Sequence, residues 1–417
     1  MHKPFLIFFV LCSTICTKGQ DNIKKYVQEN TIQIKAINPD STDYSDLEAF
    51  GYAIGNSKIV MLGEQDHGDA ATFLAKIRLI KYLHEKKGFN VLAFESDFFG
   101  LNYGWDFAKR GTISMDTFIL KNIYPLWTYC NACKNLFYQY IPKTIKTDNP
   151  LVLTGFDNQM ETKYLFPILD SIIRDLNLPI TKQSDYSTTI YPLLQSWYKS
   201  TQDSNTITKI NGYLIEIKLQ LLKVLSETSF WAMTVENLIQ QNQQFRNAGK
   251  DYWIHMNIRD RQMATNLNWL NKIKYSNQKI IVWAHSYHIS KFAGHYPDDF
   301  MNAAMPMGSV YTADTSNIKS TYVVGFTSYQ GTAGRIQQKT YKVDKPKENS
   351  FENWVSQSFE FAFVDFKKYN YLFPKTSETF YMSGAVKGNL YHKNDKAQWN
   401  KIFDGVFYIK TMFPCKE

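Results

Sequence analysis

Short apolar runs that alternate with helical segments constrain the fold of this chain more than any other feature of its sequence. Runs at 58–62 and 90–94 flank a segment, 70–87, whose apolar residues recur on one helical face, and Gly88 is suited to cap that helix. Later apolar runs occur at 151–154, 279–284, 321–326, 361–364 and 405–409, with a further helix predicted at 251–273. This alternation predicts an α/β fold with a mainly parallel central sheet flanked by helices.

Residues 185–250 differ in composition from the segments on either side. They are rich in Gln, Ser, Thr, Lys and Leu, and their apolar residues keep a helical spacing: Ile210, Leu214, Ile217, Leu221 and Leu225. We therefore expect an inserted helical subdomain that forms a cap over the cleft. The α/β core would then comprise residues 20–184 and 251–417.

The first residues are typical of a secretory signal peptide. An apolar run at 5–12 follows Lys3, and small and polar residues lead to Gly19. The run is too short to span a membrane, so we expect a signal peptide at 1–19 that is cleaved near Gly19. A lipid anchor at Cys16 is the alternative, disfavoured because Ile15 before it is bulky. The predicted location is secreted or periplasmic.

Charge and hydropathy argue against a nucleic-acid partner and against a transmembrane segment. Removing 1–19 takes away two lysines, Lys3 and Lys18, so the formal net charge falls from +9 to +7. The basic residues are spread along the chain, with no block typical of a nucleic-acid surface. No segment after the signal is apolar for long enough to cross a bilayer.

Three cysteines remain after the signal. Cys130 and Cys133 have CxxC spacing, but no second CxxC exists to complete a zinc knuckle. The sequence leaves open whether these two pair or stay reduced in a helix, and it favours a structural role for them. We expect Cys415 to be an inert thiol near the C-terminus.

Ionisable side chains follow three of the apolar runs. The turn Gly63-Glu64-Gln65-Asp66-His67-Gly68 comes after the first run, Glu95 closes the second, and His285 and His288 follow the run at 279–284. Ligands of α/β proteins bind outside the carboxyl ends of strands, so these groups are expected to meet. Arg259 lies on the inner face of the predicted helix at 251–273 and needs a charged partner there.

This set of residues is suited to hydrolysis by activated water. Histidine titrates near neutral pH and can act as a base, a carboxylate can hold its tautomer, and a second histidine or an arginine can stabilise an oxyanion. The chain has no Gly-x-Ser-x-Gly motif, so a serine triad is not supported. Lys76 and Trp127 are candidates for contact with substrate.

Each residue alone has a structural interpretation, and the group has a competing one. A histidine after a strand is more often a capping or packing residue, and a glutamate there is usually a cap or a surface ion pair. The same five side chains could also ligate a metal: Glu64, His67, Glu95, His285 and His288. No His-Glu-x-x-His motif supports this, and we favour hydrolysis without a metal or other cofactor.

The motifs resemble those of the erythromycin esterase family. The matching pieces occur in the family's order across roughly 45–330: Leu62-Gly63-Glu64 with His67-Gly68, Gly88-Phe89 with Phe94-Glu95, Gly155-Phe156-Asp157, Arg259-Asp260 with Met263-Ala264, and Trp283-Ala284-His285 with His288-Ile289. After these pieces the resemblance is loose. The chain departs from the family's pattern at Gln65-Asp66, Lys76 and Ser286.

The resemblance implies metal-independent opening of a macrolide lactone. It places the essential general base at His67 and the two glutamates that orient and charge-balance the site at Glu64 and Glu95. It makes His285, His288 and Arg259 candidates for oxyanion or substrate contacts. The expected partner is a small-molecule ester. Three alternatives stay open: an esterase for another exported substrate, a metal- or haem-binding protein of the same broad fold, and an inactive interaction module.

Overall fold

The computed structural model describes residues 13–160, 164–196, 203–291, 293–297, 299–387 and 391–417, with side chains from 22 onward except at 293. The apolar run of the predicted signal peptide and the side chain of Cys16 lie outside the described residues, as does 197–202 of the predicted insertion. A helix, Ser13–Asn30, runs through the predicted cleavage position at Gly19. In the part of the chain that is described, no helix has the length and apolar character needed to span a bilayer.

The strands found in the described residues confirm a mainly parallel α/β sheet. In the order β1-β8-β11-β6-β2-β5-β3-β4, the six strands from β11 to β4 run parallel, whereas β8 is antiparallel to both of its neighbours, β11 and the edge strand β1. β7 pairs with β6, and β9 with β10. The strands are β1 Ile32–Ile34, β2 Ile59–Leu62, β3 Phe89–Asp97, β4 Val152–Asp157, β5 Lys279–Trp283, β6 Thr321–Ala333, β7 Tyr341–Lys342, β8 Phe361–Asp365, β9 Phe380–Met382, β10 Asp395–Ala397 and β11 Gly405–Met412.

Helices connect these strands and cover both faces of the sheet. The first ten are α1 Ser13–Asn30, α2 Glu48–Ile54, α3 Ala70–Lys87, α4 Phe98–Lys109, α5 Met115–Asn122, α6 Pro125–Thr128, α7 Asn131–Lys134, α8 Ile141–Ile145, α9 Leu165–Asp175 and α10 Tyr191–Ser196. The others described are α11 Ser204–Leu221, α12 Phe230–Arg246, α13 Tyr252–Trp269, α14 Ser286–Ile289, α15 Asp299–Asn302, α16 Met307–Thr312, α17 Thr315–Lys319, α18 Phe351–Trp354, α19 Phe366–Leu372 and α20 Trp399–Ile402.

The apolar runs predicted as strands all lie in the sheet. β2 is buried at every position, as expected for a parallel strand with helices on both faces. α3 has the predicted bounds and ends at Gly88, whose φ of 73° is the left-handed conformation of a helix cap. β3 extends three residues beyond the predicted run, so Glu95 lies within the strand. β1, β7, β9 and β10 have two or three residues each and were not predicted.

The apolar stripe predicted at 210–225 is buried through Leu221. α11 packs against α12, and α12 packs against α13. Asn237 of α12 and Asn266 of α13 exchange two buried amide hydrogen bonds, of 2.9 and 2.6 Å. The stripe belongs to the same hydrophobic cluster as one face of the central sheet. The limits of the insertion and its function as a cap stay predictions.

The expectation for Cys415 is wrong, because Cys415 forms a disulfide with Cys130. These residues are 285 positions apart, and sequence spacing gives no sign that β11 delivers the following segment to the start of α7. Cys133, the other cysteine of the CxxC pair, is a buried free thiol. The open question about Cys130 and Cys133 is thereby answered: they do not pair.

The buried stripe of α11 gives a first testable prediction. Ile217→Ala should lower the free energy of unfolding by about 2–5 kcal/mol, because it leaves a cavity in a fully buried position. Leu219→Ala, on the same helix at a position that is 59% exposed, is the matched control and should change it by less than about 0.5 kcal/mol. Urea unfolding followed by circular dichroism measures both. Equal losses would show that the stripe is not packed as described.

Candidate active site

The carboxyl ends of three neighbouring strands, β2, β5 and β3, bring the predicted catalytic residues together. Side by side in the sheet, β2, β5, β3 and β4 run parallel. The turn after β2 carries Glu64 and His67, β3 carries Glu95, and β5 is followed by His285. The structure places all six residues predicted as catalytic at this edge of the sheet, with Arg259 and His288 supplied by α13 and α14. Their chemical roles stay predictions.

Glu64 is fully buried, and three donors converge on its carboxylate. Its Oε1 lies 2.7 Å from Nδ1 of His67 and accepts the indole N–H of Trp127 at 3.1 Å. Its Oε2 accepts a hydrogen bond of 2.7 Å from the ammonium of Lys76. Burial alone would raise the pKa of Glu64, but Lys76 and His67 outweigh it and lower that pKa to about 2. Glu64 is therefore ionised at neutral pH.

Lys76 and Trp127, the two candidates for substrate contact, lie buried against this pair. Lys76 exposes none of its side chain, and its ammonium lies 4.1 Å from the centre of the Trp283 ring. Burial lowers the pKa of Lys76 to about 8, although Glu64 favours the charged form. Trp127 is 1% exposed and meets the His67 ring edge to face, with 5.0 Å between centroids. Both side chains contact the histidine–carboxylate pair directly.

Gly63 and Gly68 bracket the turn because neighbouring segments approach it closely on both sides. A Cβ on Gly63 would lie 2.7 Å from Oγ of Ser286, and a Cβ on Gly68 would overlap the backbone of Gly334. Only glycine fits at these positions without displacing a neighbour. The turn is therefore held tightly between α14 and the segment after β6.

Asp69, which follows the turn, is held by a histidine that sequence analysis assigned no role. Its Oδ1 lies 2.7 Å from Nε2 of His392, and Nδ1 of that histidine lies 2.8 Å from Oγ of Ser328. Its Oδ2 accepts the backbone N–H of Asp66 at 2.9 Å. His392 is buried and adopts a φ of 43°, uncommon for a residue other than glycine. Both ring nitrogens are thus used to anchor the turn.

Asp66 and Gln65 extend these anchors. Asp66 accepts hydrogen bonds of 2.6 Å from Nε of Arg335 and 2.7 Å from the hydroxyl of Tyr341. The side-chain amide of Gln65 donates to two oxygens of Ser383, its backbone carbonyl and, at 3.0 Å, its Oγ. The residues that sequence analysis missed here lie in the C-terminal third of the chain, far from any motif.

Arg259 occupies the centre of a second cluster, as its need for a charged partner predicted. Nε and Nη2 donate to the two carboxylate oxygens of Asp157 at 3.1 and 2.6 Å. Nη2 also donates to Oε1 of Glu95 at 3.0 Å. Burial alone would raise the pKa values of both carboxylates, but nearby positive charge lowers them below their usual values. The guanidinium therefore lies between two ionised acids.

His288 joins this cluster through both ring nitrogens. Nδ1 lies 2.7 Å from Oδ1 of Asp260, and Nε2 lies 3.1 Å from Nη1 of Arg259 and 3.3 Å from Oε1 of Glu95. Burial alone would lower the pKa of His288, but Asp260 and Glu95 outweigh it and raise that pKa. When neutral, the ring accepts from Arg259, and when protonated it can donate to Glu95.

His285 is held as a neutral ring. Nδ1 accepts the backbone N–H of Tyr287 at 3.1 Å, which leaves Nε2 as the donor to the carbonyl oxygen of Gln65 at 3.1 Å. Burial, followed by the charge of His67, lowers the pKa of His285 to about 3. This histidine therefore has no nitrogen left for proton transfer, and it fixes the turn instead.

The three histidines form a row in which His67 alone has a ring nitrogen without a described partner. The ring centroids of His67 and His285 are 5.2 Å apart, and those of His285 and His288 are 6.4 Å apart. Nε2 of His67 has no hydrogen-bond partner among the described residues, and its side chain is 16% exposed. Within those residues, no three His, Cys, Asp or Glu side chains are grouped to hold a metal ion.

Known proteins similar to this chain include two bacterial sequences. A putative hydrolase of Bacillus subtilis (strain 168), YbfO, is 25% identical over 400 residues, which cover 88% of this chain and 87% of the relative. The erythromycin esterase type II of Escherichia coli is 23% identical over 430 residues, covering 93% of this chain and 97% of that enzyme.

Solved structures share the fold at low sequence identity. A Bacillus cereus protein superposes with a TM-score of 0.75 at 18% identity, covering 95% of this chain and 98% of its own. A mutant erythromycin esterase, EreC, in its open conformation superposes with a TM-score of 0.70 at 17% identity, covering 92% of this chain and 98% of its own.

The erythromycin esterase family matches residues 84–412, more than half of the chain. The match begins after the turn that carries Glu64 and His67, and it includes the C-terminal region, where the sequence motifs resemble the family only loosely. This match, the motifs in the sequence and the shared fold together support one conclusion. The chain belongs to the erythromycin esterase family.

Proposed function

We propose that this protein is a metal-independent hydrolase of carboxylic esters that opens the lactone ring of macrolide antibiotics such as erythromycin. Membership of the family implies a hydrolase that acts on a small molecule. The similarity to the erythromycin esterase type II supports a macrolide as the ester, although that relative is distant, at 23% identity. Such a reaction would confer resistance to the antibiotic.

One observation carries this proposal, the placement of the His67 ring. Glu64 engages Nδ1, so the lone pair of the neutral ring lies on Nε2, which is free of described partners. A carboxylate that fixes the tautomer also stabilises the imidazolium formed when the ring accepts a proton. These features suit His67 to act as the general base that activates water.

The reaction would proceed by direct addition of water to the lactone carbonyl. His67 takes a proton from water as its oxygen bonds to the carbonyl carbon, and the carbonyl oxygen becomes an oxyanion. The intermediate then collapses with cleavage of the ring C–O bond, and the proton passes to the departing alkoxide. The product is one open-chain hydroxy acid, heavier than the substrate by one water.

Arg259, which is held against His288, is suited to stabilise the oxyanion. Of the five N–H groups of Arg259, four contact Asp157, Glu95 and His288, which leaves one hydrogen on Nη1 without a partner among the described residues. A preorganised donor in a buried site stabilises developing negative charge more strongly than water does. Glu95 and Asp157 hold the guanidinium in place.

Lys76 and Trp127 act in this proposal by positioning Glu64. Their buried contacts with its carboxylate keep it ionised and aimed at Nδ1 of His67. We therefore assign to them the support of the general base, in place of the substrate contact expected from sequence.

The proposed location is outside the cytoplasm. The sequence predicts a signal peptide at 1–19, and the disulfide between Cys130 and Cys415 supports an oxidising compartment. A secreted or periplasmic enzyme would meet its ester before the ester enters the cytoplasm.

The proposed reaction is tested by mass spectrometry of a macrolide panel incubated with the protein in the presence of a chelator. We expect a mass gain of one water with the wild type and a loss of at least about 10³-fold in rate with His67→Ala, because the general base is removed. His255→Asn is the matched control, since the described hydrogen bonds of His255 both go to Gln244, and it should retain the rate.

Three outcomes separate the parts of this proposal. Retained activity in His67→Ala would overturn the assignment of the base. Activity that chelator abolishes would overturn metal independence. If no macrolide changes in mass but a generic ester such as p-nitrophenyl acetate is hydrolysed, the assignment of a macrolide substrate would be overturned. An esterase for another exported ester would then be favoured. Iron or haem in the purified protein would favour the binding-protein alternative.

The charge of Glu64 predicts a dependence of stability on pH. Its pKa is lower in the folded protein than in the unfolded chain, so its contribution is fully present above about pH 4.5 and is lost as the pH falls toward 2. The loss should be on the order of 3 kcal/mol, since one pKa unit corresponds to about 1.4 kcal/mol.

The matched variant for this test is Glu64→Gln combined with Lys76→Met, which removes both charges of the buried pair. Urea unfolding between pH 6 and 3 should show a shallower loss of stability in this variant than in the wild type. Glu360→Gln, at an exposed ion pair with Lys410, should keep the wild-type slope. Identical slopes in all three proteins would contradict an ionised Glu64.

A further inference from the structure

The residues that directly follow His67 are held by the segment after β11. The backbone N–H of Ala70 donates to the carbonyl of Phe413 at 3.1 Å, and that of Cys415 donates to the carbonyl of Gly68 at 2.8 Å. Between these bonds, Asp69 and Pro414 form an isolated antiparallel bridge. Residues 413–415 thus act as a short strand added to the backbone of the catalytic turn.

The other flank of the turn is held by α6 and the start of α7. Trp127 of α6 contacts both Glu64 and His67, and its carbonyl accepts the N–H of Cys130 at 3.2 Å. The N–H of Asn131 donates to the carbonyl of Lys416 at 2.8 Å. The two flanking segments therefore meet each other beside the turn.

We propose that the Cys130–Cys415 disulfide is a positioning latch that holds the catalytic turn between these two segments. Turnover then depends on whether this disulfide is intact. This inference rests on the proposed hydrolysis for its effect on rate. The S–S bond joins the segment that pairs with Gly68 and Ala70 to the segment that carries Trp127. Both cysteines act through the turn and contact no reacting atom.

The segment at 413–417 depends on this bond because little else of it is buried. Phe413 is 42% exposed, Lys416 and Glu417 are exposed, and Cys415 is 8% exposed. Past the end of β11, the segment gains its burial mainly through the cysteine. Without the covalent bond, the segment would be held by its backbone hydrogen bonds with Gly68, Ala70 and Asn131 and by two hydrogen bonds that the side chains of Asn131 and Gln337 donate to Glu417. A short, mostly exposed segment that is held by so few contacts opens readily in local unfolding.

Opening of the latch should reduce the rate because His67 lies next to the anchored residues. Its ring must keep Nδ1 on Glu64 while Nε2 faces the water, and displacement of a catalytic group by about 1 Å can cost a hundredfold in rate. Reduction by dithiothreitol would open the latch: the S–S bond gains two electrons and two protons to give two thiols, and the dithiol is oxidised to its cyclic disulfide.

Cys133 is the thiol that could exchange with this bond. Attack by its thiolate on Sγ of Cys130 would form a Cys130–Cys133 disulfide and release Cys415 as a thiolate, which takes up the proton lost from Cys133. Burial raises the pKa of the Cys133 thiol well above its usual value, so the thiolate is scarce in the folded protein. The latch is thus protected from internal exchange while the fold is intact.

The first test measures the turn itself and does not require a known substrate. Hydrogen–deuterium exchange of peptides that span 66–71 and 412–417 is compared in the oxidised protein, in the protein reduced with dithiothreitol, and in Cys133→Ala/Cys415→Ser. The Cys133→Ala change prevents a new pairing with Cys130, and Cys133→Ala alone is the matched control. We expect at least about tenfold faster exchange of both peptides when the latch is open, with no change in the control.

The second test measures turnover at a temperature at which every variant is folded. With erythromycin, or p-nitrophenyl acetate if no macrolide is hydrolysed, opening of the latch should lower kcat about tenfold or more and leave KM within about twofold, because the displaced general base acts on water and does not bind the ester. Ile217→Ala, which destabilises the protein in a different hydrophobic cluster from Leu62 and Ala70 beside the turn, should keep the wild-type kcat. This comparison separates positioning from general loss of stability.

The outcomes distinguish this inference from the proposed function. Unchanged exchange in the two peptides after reduction would overturn the latch, whatever the substrate proves to be. Faster exchange with an unchanged kcat would overturn its effect on turnover. Faster exchange in a protein that hydrolyses no ester would support the latch on the turn and refute the proposed hydrolysis.

Discussion

The buried carboxylate of Glu64 is the group on which the arrangement of the site depends. An ionised carboxylate removed from water is costly unless charged and hydrogen-bonding partners surround it. Lys76, Trp127 and His67 supply those partners, and each comes from a different part of the chain: α3, α6 and the turn itself. The need to satisfy one buried charge thus brings three segments together and aims the histidine.

The same principle organises the second cluster around Arg259. Its single guanidinium donates to two carboxylates, those of Asp157 and Glu95, and His288 contacts the carboxylate of Asp260. Because every described buried charge here has a partner within the protein, no strong cation is left over for an anionic substrate. This pairing is compatible with the proposed hydrolysis, in which the carbonyl of the ester is uncharged and negative charge develops only during the reaction.

The fold and the strand-end residues could be predicted because their signals are local. Apolar runs marked the parallel strands, and Glu64, His67, Glu95 and His285 each follow or close such a run. The anchors of the turn could not be predicted, because they depend on where the C-terminal third returns in space. His392 lies 323 positions from Asp69, and Cys415 lies 285 positions from its partner, so no spacing rule connects them. The burial of Lys76 could not be predicted either, because its ion-pair partner Glu64 lies outside the helix that carries Lys76. Helical spacing therefore does not reveal the pair.

These distant anchors explain how a tight turn can carry a precisely oriented base. Gly63 and Gly68 admit close neighbours at both ends of the turn, and that closeness lets side chains and backbone from the C-terminal third reach it. Asp66 and Asp69 then use their carboxylates on Arg335, Tyr341 and His392, none of which touches Glu64 or His67 in the described contacts. The acidic residues in and beside the turn thus have two different functions. Glu64 orients the His67 ring, and Asp66 and Asp69 fix the backbone that carries His67.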